Sequence, residues 1–248
     1  MADIFVTRQK ILVSDFDGTI TDKDFFELAV THLLRREDLR AWDEFLAGDI
    51  DHFTALQRIY GQIRAPEEAV VALLEKAGAD PLLLASVEKL AQSGWEVVVA
   101  SAGCEWYVRR ILDDMGVCLA VHASPGEYAP GGPLVVKAPV DSPFYNPAVG
   151  VDKAALVRSF QAKGYLVAYA GDGMMDAPAS LLVSADVRFA RENSSLAYIL
   201  EEQGEGYRSF TRWSAVADAL LAKELARDQD DSSGQAALSG KTIQGGRA

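Results

Sequence analysis

Short apolar runs alternate with amphipathic segments along most of the chain. The strand candidates are mostly continuous apolar runs, typical of strands covered on both faces: Lys10–Ser14, Trp95–Ala100, Tyr165–Ala170 and Val187–Ala190. Apolar residues at helical spacing predict helices over Glu105–Met115, Lys153–Lys163, Asp176–Val183 and Ser195–Gln203. This alternation predicts an α/β fold built on a doubly wound parallel sheet.

Residues 22–90 interrupt the alternation, because they contain no strand pattern. Their apolar residues recur at helical spacing, as in Phe25, Leu28, Ala29 and Leu33. We therefore predict an all-helical cap of about four helices at 22–90, inserted into a catalytic core of residues 1–21 and 91–226. A helical block beside the carboxyl edge of the sheet can act as a lid.

Two other stretches stand apart from this pattern. Residues 119–150 are rich in proline and glycine, and Leu134–Lys137 is predicted as one arm of a hairpin. The polar composition of residues 227–248 predicts a disordered tail.

The charge balance restricts the partners of the protein. A formal net charge of −12 argues against nucleic acid or an anionic membrane surface as the main partner. Two cysteines without paired spacing make a structural zinc site improbable and favour a reduced, cytoplasmic setting. The N-terminus lacks the apolar stretch of a signal peptide, and no run reaches the length of a membrane span. An anionic substrate would therefore depend on a metal ion and a single lysine.

Reactive residues occur where the predicted strands end. Asp15 and Asp17 follow the first strand, Ser101 follows the second, and Asp172 and Asp176 follow the third. Lys153 is placed near the start of the helix before the third strand. Ligands of open α/β sheets bind beyond the carboxyl ends of the strands, so we expect these side chains to meet there.

The residue types favour a hard cation and a phosphate. Carboxylates without histidine or cysteine ligands are typical of magnesium, so Asp15 has two possible roles, metal ligand or nucleophile. Magnesium and Lys153 would neutralise phosphoryl oxygens. The Ser101 hydroxyl and nearby backbone N–H groups are candidates for an anion-binding nest: those of Asp17, Gly18, Ala102 and Gly103.

Asp17 is the candidate acid and base. A phosphatase must protonate the leaving alcohol and then activate water, and one carboxyl does both if neighbouring negative groups raise its pKa. Alternative roles exist for the other residues. Asp172 and Asp176 are also suited to capping a helix, and Lys153 alone would be an ordinary surface lysine.

Together these motifs resemble the haloacid dehalogenase superfamily. The resemblance rests on Asp15-Phe-Asp-Gly-Thr-Ile, on Ser101 and Lys153, and on Gly171-Asp-Gly-Met-Met-Asp176, in this order. It implies that Asp15 is the nucleophile and Asp17 the acid/base. It also implies magnesium held by the Asp15 carboxylate, the Asp17 carbonyl and Asp172. Asp176 would order a metal-bound water or Lys153, and Ser101 and Lys153 would hold the phosphate.

The position of the helical insertion resembles a type-1 cap of the phosphoserine-phosphatase-like branch. Three segments look like the methionine-salvage enol-phosphate phosphatases and the phosphoethanolamine/phosphocholine phosphatases: Ser101–Val108, Gly150–Val157 and Ser184–Arg191. The resemblance suggests four substrates: 2-hydroxy-3-keto-5-methylthiopentenyl-1-phosphate, phosphoserine, phosphocholine and phosphoethanolamine. Candidate substrate-pocket residues are Asp24, Phe25, Glu105 and Trp106.

The sequence therefore predicts a magnesium-dependent phosphatase of a small metabolite. A phosphotransferase or mutase that uses the same aspartyl-phosphate is an alternative. A non-enzymatic phospho-receiver is disfavoured by the cap and by Asp17, since a lasting phosphoaspartate is better served without a neighbouring base. The oligomeric state is left open.

Overall fold

The computed structural model of the protein describes residues 9–129 and 132–224. The strands in this part of the chain are β1 (Lys10–Ser14), β2 (Trp95–Cys104), β3 (Ala120–Ser124), β4 (Gly126–Tyr128), β5 (Leu134–Val136), β6 (Tyr145–Asn146), β7 (Gly150–Val151), β8 (Leu166–Gly171), β9 (Arg188–Arg191) and β10 (Arg208–Phe210). The α-helices are α1 (Phe25–His32), α2 (Arg40–Leu46), α3 (His52–Tyr60), α4 (Glu67–Leu74), α5 (Leu83–Gln92), α6 (Glu105–Asp114), α7 (Lys153–Ala162), α8 (Ala177–Ser180) and α9 (Ser195–Glu202), and residues 213–224 are also helical. Short 3₁₀ turns cover Arg36–Leu39, Glu75–Ala77, Met174–Asp176 and Ala185–Val187.

Six of the strands form one parallel sheet in the order β10, β9, β8, β1, β2, β3. β1 lies between β2 and β8, and its Leu12 and Val13 have no exposed surface. A strand covered on both faces has no polar side to show, which explains the continuous apolar run of its sequence. The predicted doubly wound α/β fold is confirmed.

The chain between β1 and α5 forms the helical insertion. It contains α1 to α4, and its two ends lie side by side: an isolated bridge pairs Thr21 with Ala79, and the Asp22 amide donates to the Ala77 carbonyl at 2.9 Å. α5 then packs against β2 of the sheet. The insertion therefore returns to the sheet next to the point where it leaves it.

The sheet differs from the sequence prediction at its two edges. The apolar pattern misses β3 and β10 because edge strands are short and partly exposed; Arg208 and Ser209 of β10 face solvent. β2 continues through Ser101 to Cys104, and its register against β3 shifts between Ala100 and Cys104. This irregularity frees the backbone of Ser101–Gly103 from regular pairing.

Of two further predictions, one helix is shorter than expected and one hairpin arm is confirmed. The predicted helix Asp176–Val183 is reduced to one 3₁₀ turn and α8, which has a proline in its first turn. The predicted hairpin arm is confirmed, since β5 pairs antiparallel with β4. The tail 227–248 lies outside the described residues. Among the described residues, no helix combines the length and apolar character that crossing a membrane requires.

Candidate active site

A cavity of about 630 Å³ lies at the carboxyl edge of the sheet, below the helical insertion. Asp15 follows β1 and Asp172 follows the neighbouring β8, and the Asp15 amide donates to Ala170 at 2.8 Å. The structure brings every predicted catalytic, metal-binding and phosphate-binding residue to the lining of this cavity: Asp15, Asp17, Gly18, Ser101, Ala102, Gly103, Lys153, Asp172 and Asp176.

Lys153 joins two of the carboxylates. It is the first residue of α7, whose N-cap Asp152 fixes the start of the helix by accepting from the Ala155 amide at 2.8 Å. Its Nζ lies 2.6 Å from Asp15 Oδ1 and 2.6 Å from Asp176 Oδ1, and the side chain is only 6% exposed. Burial lowers the pKa of Lys153, but the two carboxylates outweigh burial and raise it. The ammonium is therefore charged and placed beside Asp15.

The carboxylate of Asp176 is fully engaged by donors. Its Oδ1 accepts from Lys153 and from the Tyr169 hydroxyl, both at 2.6 Å. Its Oδ2 accepts from the amides of Asp172 and Gly173 at 3.1 and 2.8 Å. These bonds orient both Lys153 and the loop that carries Asp172. The capping role and the lysine-ordering role considered for Asp176 thus coexist.

The cavity floor carries more negative than positive charge. Oxygen atoms of Asp15, Asp172 and Asp176 lie within 4.8 Å of one another, and Lys153 forms ion pairs with Asp15 and Asp176. Burial and the charge of Asp176 raise the pKa of Asp15 well above its ordinary value and that of Asp172 to about 6. Carboxylates crowded in this way are stabilised by a cation. The donor set is all oxygen, which fits magnesium.

Asp17 is separated from this group and has its own partners. Its Oδ2 accepts from the Tyr107 hydroxyl at 2.6 Å and from the Ser101 hydroxyl at 3.4 Å, and its Oδ1 accepts from the Phe25 amide at 3.1 Å. Burial raises the pKa of Asp17, although the Tyr107 and Phe25 bonds oppose the rise. The sequence predicts that neighbouring negative groups raise the pKa of Asp17, but burial is the largest cause of the rise.

Two glycines allow the backbone to approach the carboxylates closely. Gly18 has a φ of 69°, and a Cβ there would lie 2.3 Å from Asp172 Oδ2. A Cβ at Gly103 would lie 1.7 Å from the Tyr107 hydroxyl oxygen. Neither position has room for a side chain, so the loops after β1 and within β2 both require glycine.

The fold and the cavity agree with comparisons to known proteins. The sequence model of the haloacid dehalogenase-like hydrolases matches residues 12–180, which is more than half of the chain. The chain belongs to this family. No curated protein sequence matches the chain.

Solved structures similar to this haloacid dehalogenase-like hydrolase support its fold. One is a HAD family hydrolase from Salmonella enterica serovar Typhi, with 15% identity, a TM-score of 0.61, and coverage of 82% of this chain and 68% of that one. A probable phosphoserine phosphatase from Vibrio cholerae has 17% identity, a TM-score of 0.63 and coverage of 90% and 67%. The phosphoserine phosphatase from T. onnurineus has 20% identity, a TM-score of 0.55 and coverage of 88% and 96%.

Three of the four predicted pocket residues of this family member lie elsewhere. Asp24 lines the cavity and caps α1, but Phe25 is completely buried against Tyr60 and Tyr107. It is the next residue, Phe26, that reaches the cavity. Helical geometry explains why Phe26 and not Phe25 reaches the cavity, because successive residues of a helix face directions about 100° apart.

Glu105 and Trp106 are also absent from the cavity lining. Glu105 accepts from Arg109 at 2.6 Å on the surface of α6, and the Trp106 ring packs against Tyr128 of β4. Both line a separate shallow depression. The residue of α6 that faces the cavity is Tyr107, one position further along.

Four residues contribute to this site through hydrogen bonds that the sequence does not predict. Tyr107 and Tyr169 donate to Asp17 and Asp176, and no periodic signal distinguishes them from core tyrosines. Thr19 donates to Asp172 at 3.1 Å, and its place directly after the Asp-Gly pair was a usable signal. Arg191 donates to the Gly18 and Thr21 carbonyls at 2.9 and 2.8 Å and to Asp22 at 2.7 Å.

Proposed function

We propose that the protein is a magnesium-dependent phosphomonoesterase that hydrolyses a small phosphorylated metabolite through an aspartyl-phosphate on Asp15. The observation that carries the proposal is the arrangement at the cavity floor. A buried Asp15 lies 2.6 Å from Lys153, and Asp172 and the separately held Asp17 line the same cavity. The family membership and the phosphoserine phosphatases of similar fold support it.

In the first step, an Asp15 oxygen attacks phosphorus and the bond from phosphorus to the leaving oxygen breaks. Asp17, whose pKa is raised by burial, gives a proton to that oxygen and the alcohol departs. Lys153 and the Ser101 hydroxyl hold phosphoryl oxygens throughout. The products of this step are the free alcohol, the Asp15 phosphate and an ionised Asp17.

In the second step, the Asp17 carboxylate takes a proton from water. The resulting hydroxide attacks phosphorus, and the bond between phosphorus and Asp15 breaks. Inorganic phosphate leaves, and both carboxyl groups return to their starting states. The Tyr107 and Phe25 donors stabilise the ionised form of Asp17 between the two steps.

The carboxylates of Asp15 and Asp172 and the backbone carbonyl of Asp17 would hold magnesium. When bound, the ion supplies positive charge to the phosphoryl oxygens and the crowded carboxylates. Thr19 would orient Asp172 through its hydrogen bond, and Asp176 would act through Lys153 rather than as a ligand, because four donors already occupy it.

Magnesium-dependent release of inorganic phosphate from 4-nitrophenyl phosphate tests the proposal. We expect activity in the wild type and a loss of about a thousandfold or more in Asp15→Asn. Asp113→Asn, at an exposed position of α6, is the matched control and should retain full activity. Equal activity in wild type and Asp15→Asn would refute the nucleophile. Transfer of phosphate to an added alcohol in preference to water would favour a phosphotransferase.

A further inference from the structure

The side of the cavity opposite the carboxylates is formed by aromatic rings of the helical insertion. Phe26 of α1, Trp42 and Phe45 of α2, and His52 of α3 form a continuous cluster, called here the aromatic wall. The ring centroids of Phe26 and Trp42 are 4.5 Å apart, those of Trp42 and Phe45 are 5.1 Å apart, and those of Phe45 and His52 are 5.3 Å apart. All four rings line the cavity.

The aromatic wall begins next to the acid/base. The Phe25 amide donates to Asp17 Oδ1, so the first turn of α1 is held against the carboxyl that meets the leaving oxygen. The flanking residues Asp24 and Phe26 therefore stand where the remainder of the leaving alcohol must lie. The Phe26 end of the wall accordingly belongs to the leaving-group side of the cavity.

Carboxyl groups accompany the rings. Asp24, the N-cap of α1, and Glu27, in its first turn, line the cavity with the wall, and burial raises the pKa of Asp24 well above its ordinary value. Burial, with the nearby charge of Lys153, lowers the pKa of His52 to about 4, so its ring is neutral at neutral pH. The wall thus offers aromatic rings with neighbouring carboxyl groups, and it has no positive charge of its own.

The lysine and arginine side chains of the cavity are already paired with groups of the protein. Among the described residues lining the cavity, the lysine and arginine side chains are those of Lys153 and Arg191. Lys153 bonds Asp15 and Asp176, whereas Arg191 bonds two backbone carbonyls and Asp22. A leaving group that carried a carboxylate would meet Asp24 and Glu27 without a free partner, at an electrostatic cost.

We propose that the aromatic wall binds the leaving group as a quaternary ammonium cation, so that the substrate is the phosphomonoester of an amino alcohol without a carboxylate. Ring faces attract such a cation through their quadrupoles, and nearby carboxylates add to the attraction. A primary ammonium would need several hydrogen-bond acceptors, and the wall provides mainly rings. This inference rests on the proposed function, since it concerns the other half of the same substrate.

Binding to Asp15→Asn in the presence of magnesium tests the inference without turnover. Calorimetry would compare phosphocholine with 3,3-dimethylbutyl phosphate, which has the same shape and lacks the positive charge. We expect phosphocholine to bind about tenfold more tightly, and phosphoserine to bind more weakly than phosphocholine. Equal binding of the charged and neutral esters, tighter binding of phosphoserine, or no measurable binding of either ester would overturn the inference.

Two variants in the same background locate the preference. Trp42→Leu should bring the two esters to within about twofold of each other, and Glu27→Gln, at an exposed position, should reduce the preference several-fold. Tyr198→Leu, which removes a 64% exposed ring outside the cavity, should keep the preference. An unchanged preference in both Trp42→Leu and Glu27→Gln would also overturn the inference. Wild-type hydrolysis of 4-nitrophenyl phosphate tests the proposed function separately.

Discussion

Replacing Lys153 with methionine should destabilise the protein strongly, because two buried carboxylates would lose their shared cation. Lys153 is 6% exposed, and its ammonium is 2.6 Å from both Asp15 and Asp176. Removing one partner of a buried ion pair costs about 3–5 kcal/mol of unfolding free energy. For a urea slope of about 2 kcal/mol/M, the unfolding midpoint should fall by about 1.5–2.5 M.

The loss should depend on pH. Burial and the charge of Asp176 raise the pKa of Asp15 in the folded protein, and Lys153 opposes that rise. Without Lys153 this folded-state pKa rises further, so the destabilisation is complete only above it, where the Asp15 carboxylate is ionised in both the folded and the unfolded chain. The destabilisation should shrink as the pH falls through the raised folded-state pKa of Asp15, because a protonated carboxyl has no negative charge for the ammonium to balance.

Urea unfolding with a chelator present, at a series of pH values from about 9 down to about 5, measures both effects. Lys89→Met, at an exposed position of α5, is the matched control and should shift the midpoint by less than about 0.3 M. A Lys153→Met loss below about 1 kcal/mol at about pH 9, or a loss that does not decrease on acidification, would refute the buried three-group arrangement.

Three further variants test the parts of the site separately. Tyr107→Phe removes the 2.6 Å donor to Asp17, so the Asp17 pKa should rise and the acid limb of the pH profile of kcat should move to higher pH; an unmoved limb would exclude this bond as a determinant of that pKa. Thr19→Val removes the donor to Asp172 and should weaken magnesium affinity by about tenfold in calorimetry; wild-type affinity would contradict the orienting role. Gly103→Ala places a Cβ 1.7 Å from the Tyr107 hydroxyl oxygen and should lower the melting temperature and kcat together; a wild-type melting curve and kcat would contradict the close packing.

The sequence predicts the centre of the fold better than its edges. β1 and β8 are recognisable because strands buried on both faces need continuous apolar runs, and three of the four reactive segments follow from the strand ends, whereas Lys153 begins a helix. The edge strands β3 and β10 are short and partly polar, so their pairing depends on neighbours distant in the chain. The division into core and cap and the cytoplasmic location stay predictions.

Within the site, too, contacts between distant parts of the chain are not predicted by local sequence patterns. Asp15, Asp17 and Asp172 stand at strand ends, which a local pattern reveals. Tyr107 reaches Asp17 across 90 residues of sequence, and its contact depends on how α6 turns after β2. A rotation of one helical position decides whether Phe25 or Phe26 reaches the cavity, and hydrophobic spacing alone does not resolve it.

The central claim is that Asp15 carries the phosphate during turnover. Rapid acid quenching of the wild type with magnesium and 4-nitrophenyl phosphate, followed by peptide mass spectrometry, measures this directly. We expect a phosphate on the peptide that contains Asp15, and no phosphate on this peptide in Asp15→Asn. In Asp17→Asn the phosphorylated peptide should be more abundant than the residual turnover would suggest, because water activation is impaired. Sustained phosphate release by Asp15→Asn, or wild-type turnover with phosphate trapped on a different residue, would contradict it.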